Sequence, residues 1–419
     1  MIKRLFGFSE FSAPLGIRIV TFATAVRWAG WGFAESLLPV FIFSFSRSYA
    51  EAGLIRASYD VSFILALPII GMAADRFKAT SIILVGLLLY TLIGASYFLA
   101  GVTGMVLFVV LGRFLNGITF AMDSVGRGTY FRRNASDGKL ATIFGYFDTI
   151  ANFWWVVAAL SGMWLIQYFS IHQLLFLITP TSLIAFFIIW YFQKTPEVFK
   201  QTGEPENFNQ VYGLALKELI RWDWKLKAVA MFNFFIALIS SVLAFFLPIQ
   251  AYTDGAGLSK TILIGVMFAL PYIFGWWLGK WFDNQGLKTF AYGLVAMALL
   301  VISLVFIGSF WWQALVAFCV GLVLELISVG NNELITVCAQ PEHFGRVGSM
   351  MSLIYDIGAL VGPLIVGVII DSQGIKFAYV VMSVLMIILV GIAYTLKSKL
   401  DFSKVVATNV LHKKMHRHI

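Results

Sequence analysis

The chain has 419 residues, 60% of them hydrophobic and only 12% charged, with a mean hydropathy of +0.87. A soluble protein of this length carries about 25% charged residues, so most of this surface faces lipid rather than water. The net charge of +9 does not mark a nucleic-acid binder, because the Lys and Arg residues neither cluster on an amphipathic face nor interleave with exposed aromatics.

A spanning helix takes about 20 mostly apolar residues. Twelve stretches qualify, at 19–44, 52–74, 80–100, 105–131, 140–166, 174–193, 226–252, 260–281, 289–308, 312–337, 347–370 and 377–396. None shows the ten-residue alternation of an outer-membrane barrel. Lys3 and Arg4 precede a polar stretch, and the first apolar run lacks a small-residue cleavage pattern, so it is read as a retained first span. The expected organisation is a six-helix bundle over 1–193, a linker over 194–225, a second bundle over 226–396 and a basic tail over 397–419. Within the linker, Val211 to Trp224 has the pattern of a short surface-lying amphipathic helix. With both termini in the cytoplasm, cytoplasmic segments hold 23 of the 30 Lys and Arg residues and outer loops hold three, the asymmetry expected of a multi-pass protein of the cell membrane.

The halves echo one another. Gly71-Met72-Ala73-Ala74-Asp75-Arg76-Phe77-Lys78 follows the second span. Gly279-Lys280-Trp281-Phe282-Asp283, with Lys288 after it, follows the eighth, 208 residues later. Leu38-Pro39 closes the apolar run of span one as Leu247-Pro248 does in span seven, and Ala66-Leu67-Pro68 matches Ala269-Leu270-Pro271. An internal repeat in a membrane protein points to two pseudo-symmetric bundles with a site where they meet.

Charges within the spans need a reason, since each costs at least about 2.5–3.5 kcal/mol at a helix centre. Seven acids fall there, Glu35, Asp60, Asp123, Asp148, Glu325, Glu333 and Asp356, with four bases, Arg27, Arg56, Arg113 and Arg127. Arg56 and Asp60 are four apart, as are Asp123 and Arg127, which predicts local ion pairs with either a locking or a transport role. Arg27 and Glu35 lie eight apart in span one, about two helical turns and on roughly one face, with Arg113 near the middle of span four. These three are expected to reach a cavity, the alternative being a buried pair that fastens span one to span four. Spans ten and eleven carry Glu325 and Asp356 with no base in their interiors. A buried carboxylate without a fixed counter-ion can take up and release a proton, so these two are the proton candidates, while Glu333 reads as a latch. Trp154, Trp155, Trp276, Trp277, Phe153 and Tyr355 are either cavity walls or lipid-facing rings.

Twelve spans, the six-plus-six repeat and the charged middle segment resemble the major facilitator superfamily. The loop of Gly71, Asp75, Arg76 and Lys78 is similar to its Gly-x-x-x-Asp-Arg-x-Gly-Arg/Lys signature, departing at Phe77. The second copy keeps Gly279, Asp283, Gly286 and Lys288 but has Asn284 in place of Arg. Arg113, Asn116 and Gly117 resemble the family's Arg-x-x-x-Gly pattern, linked there to proton handling. The resemblance implies an all-α membrane fold whose first, fourth, seventh and tenth spans line a cavity, and a charge network joining Asp75 and Arg76 to Asp123 and Arg127. The Gly-x-x-x-Gly-Pro motif of the family's drug/proton antiporters is absent from span five and occurs instead in span eleven, as Gly358, Gly362 and Pro363. There it reads at least as well as helix packing.

No phosphate-binding loop, Ser-His-Asp array or metal-ligand spacing marks an enzyme, a cofactor or a resident metal. The expectation is a monomeric secondary transporter that moves a small solute by alternating access, with coupling to H+ or another ion. Efflux of amphipathic molecules leads. The alternatives are uptake of a nutrient or organic anion held by Arg27 and Arg113, or a non-transporting sensor or scaffold.

Overall fold

The computed structural model describes residues 14–134, 140–192, 222–274, 287–306, 308–338 and 344–399. Among these, nine helices are long and apolar enough to cross a bilayer. Two shorter apolar stretches, Leu258–Phe274 and Phe290–Phe306, stand where the eighth and ninth spans are expected. The remaining span, the first, is helical but broken. Among the described residues the architecture is all-helical.

The break in span one is written in its sequence. Helix α1 runs over Leu15–Gly32 and stops. Ala34 leaves the helical region, with φ −143°, and a single 3₁₀ turn follows over Glu35–Leu37. The helix restarts as α2, Leu38–Ser44, with Pro39 in its first turn, where a missing N–H costs nothing. Irregular backbone at membrane depth survives only where protein or a water-lined space surrounds it. Here a neighbouring glycine makes the room: a Cβ on Gly162 would sit 2.0 Å from the Phe33 carbonyl oxygen at the break.

Next come α3 (Tyr49–Arg76), α4 (Ala79–Thr103), α5 (Val106–Asn134), α6 (Leu140–Leu165), the short α7 (Ile171–Phe176) and α8 (Ile178–Phe192). Gly104 ends α4 in the left-handed region at φ 72°, its N–H donating to the Ala100 carbonyl at 2.8 Å, the conformation glycine adopts without strain. Further on lie α9 (Trp224–Thr253), α10 (Leu258–Ala269), a 3₁₀ segment (Leu270–Phe274), α11 (Leu287–Phe306), α12 (Phe310–Cys338), α13 (Phe344–Gln373) and α14 (Ile375–Lys399).

The chain divides into two compact units. The first comprises Met1–Arg47, Glu51–Phe208 and Pro248–Val266. In it α1 packs against α6 and α8, and α4 lies against α5 and α8. Its core joins Ile17 and Val20 of α1, Ile83 and Leu87 of α4, Phe131 of α5 and Phe147 of α6. In lipid the tails are as apolar as leucine, so helix association rests on close packing, and small residues mark the seams. Gly30 abuts Thr181, Gly94 abuts Thr179 and Gly117 abuts the Tyr59 carbonyl and the Ser62 hydroxyl. Leu88, Leu92 and Leu99 are exposed on the outer side of α4, where acyl chains are the natural neighbours.

The second unit comprises Ser48–Ala50, Asn209–Leu247 and Met267–Ile419. Helix α11 packs against α12 and α14, and the Ser383 hydroxyl of α14 donates to the Ala298 carbonyl of α11 at 3.1 Å. Helices α9 and α13 meet where a Cβ on Gly358 would come within 2.2 Å of the Phe234 carbonyl and one on Gly362 within 2.6 Å of that of Leu238. The Asn233 amide donates to the Met351 carbonyl beside them. The Gly-x-x-x-Gly of span eleven therefore lies along a helix seam.

Candidate functional site

The first unit holds its charged side chains in two sets. The inner set is built on Asp123, which is almost wholly buried in α5. One of its oxygens accepts from Arg27 Nη2 of α1 at 3.0 Å and also from Arg127 Nη1, one turn along α5. Both arginines are roofed by rings. The Arg27 guanidinium lies 4.3 Å from the centre of Tyr90, and that of Arg127 lies 4.0 Å from the centre of Phe147. A ring face over a desolvated guanidinium contributes about 2 kcal/mol, which offsets part of the cost of sinking a second cation beside one carboxylate. Asp148 stands on α6, exposed, within the field of Arg127.

The outer set is more open. Arg56 Nη1 meets Asp60 Oδ2 at 2.8 Å, one turn apart on α3. Arg113 of α5 lies with its guanidinium 4.6 Å from the centre of the Tyr59 ring. That placement depends on Gly117, one turn further along α5, because any side chain there would collide with α3 at Tyr59 and Ser62. Arg113 is mostly buried, makes no ion pair within 4.0 Å among the described residues, and leaves its Nε without a hydrogen-bond acceptor. Its field reaches both Glu35 and Asp60. Glu35 is exposed, and its Oε2 accepts instead from the indole Nε1 of Trp155 on α6 at 2.5 Å. Asn116, beside Arg113, is buried.

Several expectations meet this geometry directly. The two four-residue spacings are ion pairs. The Arg27–Glu35 relation differs from the reading of one continuous helix face. The backbone breaks between them, and they turn to different partners, Arg27 to Asp123 and Glu35 to Trp155. Arg27 thereby fastens α1 to α5, with Asp123 rather than Glu35 or Arg113 as its counterpart. The sequence marks Trp155 only as an aromatic wall or a lipid-facing ring. The signal that could have found its role is the string Gly32 to Pro39, a helix break with an acid inside it.

In the loop after span two, Gly71 and Ala74 belong to the end of α3, Arg76 and Lys78 are exposed, and Arg133 donates to the Ala74 carbonyl at 2.8 Å. Asp75 and Glu333 lie in α3 and α12, and Lys288 in α11, but their side chains fall outside the described residues. So do Gly279, Asp283, Trp276 and Trp277 altogether, together with most of the linker and the basic tail. In the second unit Glu325 of α12 and Asp356 of α13 are half-buried, and Glu325 and Tyr355 both act electrostatically on Tyr272. Pro363 sits within α13, one residue past Gly362.

Apolar helices of spanning length, with compensated charges sunk between them and a few acids reaching accessible surface, define a multi-pass membrane protein. The chain belongs to the Major Facilitator Superfamily, whose family model matches residues 20–347. It is 22% identical over 362 residues to the quinolone resistance protein NorA of Staphylococcus aureus, an alignment covering 85% of this chain and 90% of that one. Among solved structures, the nucleoside transporter NupG superposes with a TM-score of 0.72 at 14% identity, covering 91% of this chain and 99% of that one. A point variant of the E. coli fucose:proton symporter FucP superposes with a TM-score of 0.60 at 16% identity, covering 91% and 98%. The structural likenesses show the fold.

Proposed function

We propose that this protein is a proton-coupled secondary transporter of the cell membrane that exports small amphipathic molecules by alternating access, with both termini in the cytoplasm. The observation that carries this reading is the presence of carboxylates inside lipid-length helices, where an acid persists only if something is gained by having it there. Glu325 and Asp356 are the coupling groups in this reading, as half-buried acids of α12 and α13 within the predicted spans. The similarity to a quinolone resistance protein favours export, and the likeness to a proton symporter supports the use of protons by this fold. Glu35, Asp148, Arg113 and Asn116 are the solute-facing polar groups of the first unit, Arg27, Asp123 and Arg127 are its lock, and the protein works as a monomer in the bilayer.

The test is a vesicle assay. Purified protein is reconstituted, a pH gradient is imposed, and labelled amphipathic solutes are screened while lumenal pH is followed. Solute-dependent proton movement that disappears in Asp356→Asn or Glu325→Gln is expected. Solute movement indifferent to both substitutions and to the gradient removes proton coupling. A second reading, uptake of an organic anion, is favoured by one feature: Arg113 is a mostly buried guanidinium with no carboxylate paired to it among the described residues. Accumulation of a carboxylated solute in the opposite direction in the same assay distinguishes it.

A further inference from the structure

His172 is the only histidine among the described residues and belongs to neither charge set. It stands in the first turn of α7, in the segment 167–173 that joins the fifth and sixth predicted spans. Its half-buried ring is seated on the backbone of α4. A Cβ on Gly101 would lie 2.1 Å from the imidazole Cγ and 2.4 Å from Nδ1, so only glycine leaves room for it. Phe98 of α4 meets the imidazole at 5.7 Å between ring centres and meets Phe176, one turn further along α7, at 5.2 Å. The other ring nitrogen, Nε2, lies 3.1 Å from the Ser170 hydroxyl. Ser170 begins α7: its N–H donates to Gln173 Oε1 at 2.9 Å and its carbonyl accepts from the Leu174 N–H at 3.1 Å. The imidazole thus joins the start of α7 to the end of α4.

A neutral ring suits that seat and an imidazolium does not, because a cation among apolar groups needs a counter-charge or water. The sequence holds no Asp, Glu, Lys or Arg between Lys78 and Arg113, or between Asp148 and Lys194. Helices α4, α7 and α8, and α6 beyond Asp148, therefore offer no counter-charge. Their titratable groups besides His172 are tyrosines. Tyr90 and Tyr97 turn to Trp31 of α1, Tyr168 pairs with Trp164, and Tyr191 pairs with Phe192 at the far end of α8. Nδ1 is pressed on Gly101, where a proton finds no acceptor among the described residues. Burial accordingly holds the imidazole pKa below its ordinary value.

We propose that His172 is an acid-sensitive fastener: neutral, it holds α7 on α4, and protonated, it leaves the Gly101 seat and loosens the turn that leads into span six. Its contribution to stability is whole above the unfolded value of about 6.5 and is lost as pH falls through the lower folded value. The effect reaches further through α8. There Thr179 donates to the Thr91 carbonyl of α4 at 2.7 Å, and Thr181 abuts Gly30 in the last turn of α1, just ahead of the break. The inference rests on the transporter reading in one respect: the proposed topology puts residues 167–173 outside, so the acid sensed is that of the external medium.

The test is a direct titration of the full chain in detergent, with isotope-labelled imidazoles followed by NMR and the His172 signal assigned by its loss in His172→Gln. A midpoint below about 6.5 that moves up in Gly101→Ala is expected. A midpoint at or above that value overturns the seat, as does one that Gly101→Ala leaves in place. Thermal unfolding supplies a second measurement that does not depend on Gly101→Ala folding. His172→Phe keeps an aromatic ring and cannot be charged. Acidification from about pH 8 to about pH 5 is expected to lower the wild-type midpoint by more than that of His172→Phe, and an equal drop in both overturns the fastener. Sidedness is read from Tyr168→Cys with a membrane-impermeant maleimide on intact cells, the unsubstituted chain serving as control. Labelling is expected, and protection until lysis overturns the outward sensing alone. The titration and unfolding need no transport, so they stand or fall apart from the vesicle assay of proton-coupled export.

Discussion

The inner and outer charge sets contain the same ingredients, two arginines and two acids each, and use them differently. In the inner set one deeply buried acid, Asp123, serves both arginines, and the second acid, Asp148, stands exposed on the next helix. In the outer set the acid and arginine of one pair, Arg56 and Asp60, belong to one helix, and the remaining pair, Arg113 and Glu35, is not closed. The two inner arginines converge on one carboxylate between α1 and α5, although Arg27 Nε is left without an acceptor, whereas Arg113 is buried with no ion pair among the described residues. Glu35 is exposed and accepts from a neutral indole instead. In the transporter reading proposed above, the inner set is a lock and the outer set is the part that can switch with solute.

The strongest way to break this contrast is at Asp123. Replacing it with alanine leaves Arg27 and Arg127 facing each other with no negative charge between them, and breaking a buried pair in this way costs about 3–5 kcal/mol. The expected outcome is a protein that accumulates poorly and unfolds at a markedly lower temperature in detergent. Next in size is the seam that builds the outer set. A leucine at Gly117 would drive its first carbon to within 2.0 Å of the Ser62 hydroxyl and 2.3 Å of the Tyr59 carbonyl, so α3 and α5 must separate. Forced overpacking of this kind costs about 1–3 kcal/mol. Because Tyr59 then leaves Arg113, solute binding is expected to weaken even at temperatures where the protein remains folded, measured as the concentration giving half-maximal transport.

What could be read from the sequence follows the range of the interaction. The helices were legible because a bilayer imposes a length and a composition, and twelve stretches met both. The Arg56–Asp60 and Asp123–Arg127 pairs were legible because one helical turn is a fixed distance. The Arg27–Asp123 bond spans 96 positions and depends on how α1 meets α5, which no local pattern encodes. The broken first span misleads for a different reason. Its apolar run is continuous, so an uninterrupted helix face would join Arg27 to Glu35, whereas Gly32, the non-helical Ala34 and Pro39 interrupt the backbone without interrupting the hydropathy. Gly117 could be matched to a family pattern, but its physical purpose, close approach of α3 so that a ring covers a guanidinium, needed coordinates.

A smaller effect sharpens the contrast between fixed and exchangeable pairs. Arg56 is half-buried and Asp60 buried, but their bond lies one turn apart within a single helix and ties no two helices together. Arg56→Gln removes the more accessible partner of this one-turn pair and is expected to lower stability by about 1 kcal/mol or less. That would be several-fold less than the cost of Asp123→Ala. If the two substitutions shift the unfolding midpoint equally, a bond between helices is not what separates the sets.

The least effect on stability is expected at Glu35 itself, and that is the most informative case. Glu35→Gln keeps the side-chain length and an oxygen that can still accept from the Trp155 indole, so the contact that holds it in the structure survives. What is lost is the negative charge. A midpoint within about 0.5 kcal/mol of wild type, as for substitutions that break no buried feature, is therefore the expected result. Solute release is nevertheless expected to slow in the transporter reading proposed above, where Glu35 is a solute-facing acid, and an efflux time course after preloading vesicles measures it. A large loss of stability with unchanged release would place Glu35 with Asp123, among the groups that only hold helices together, and the division into lock and switch would have no basis.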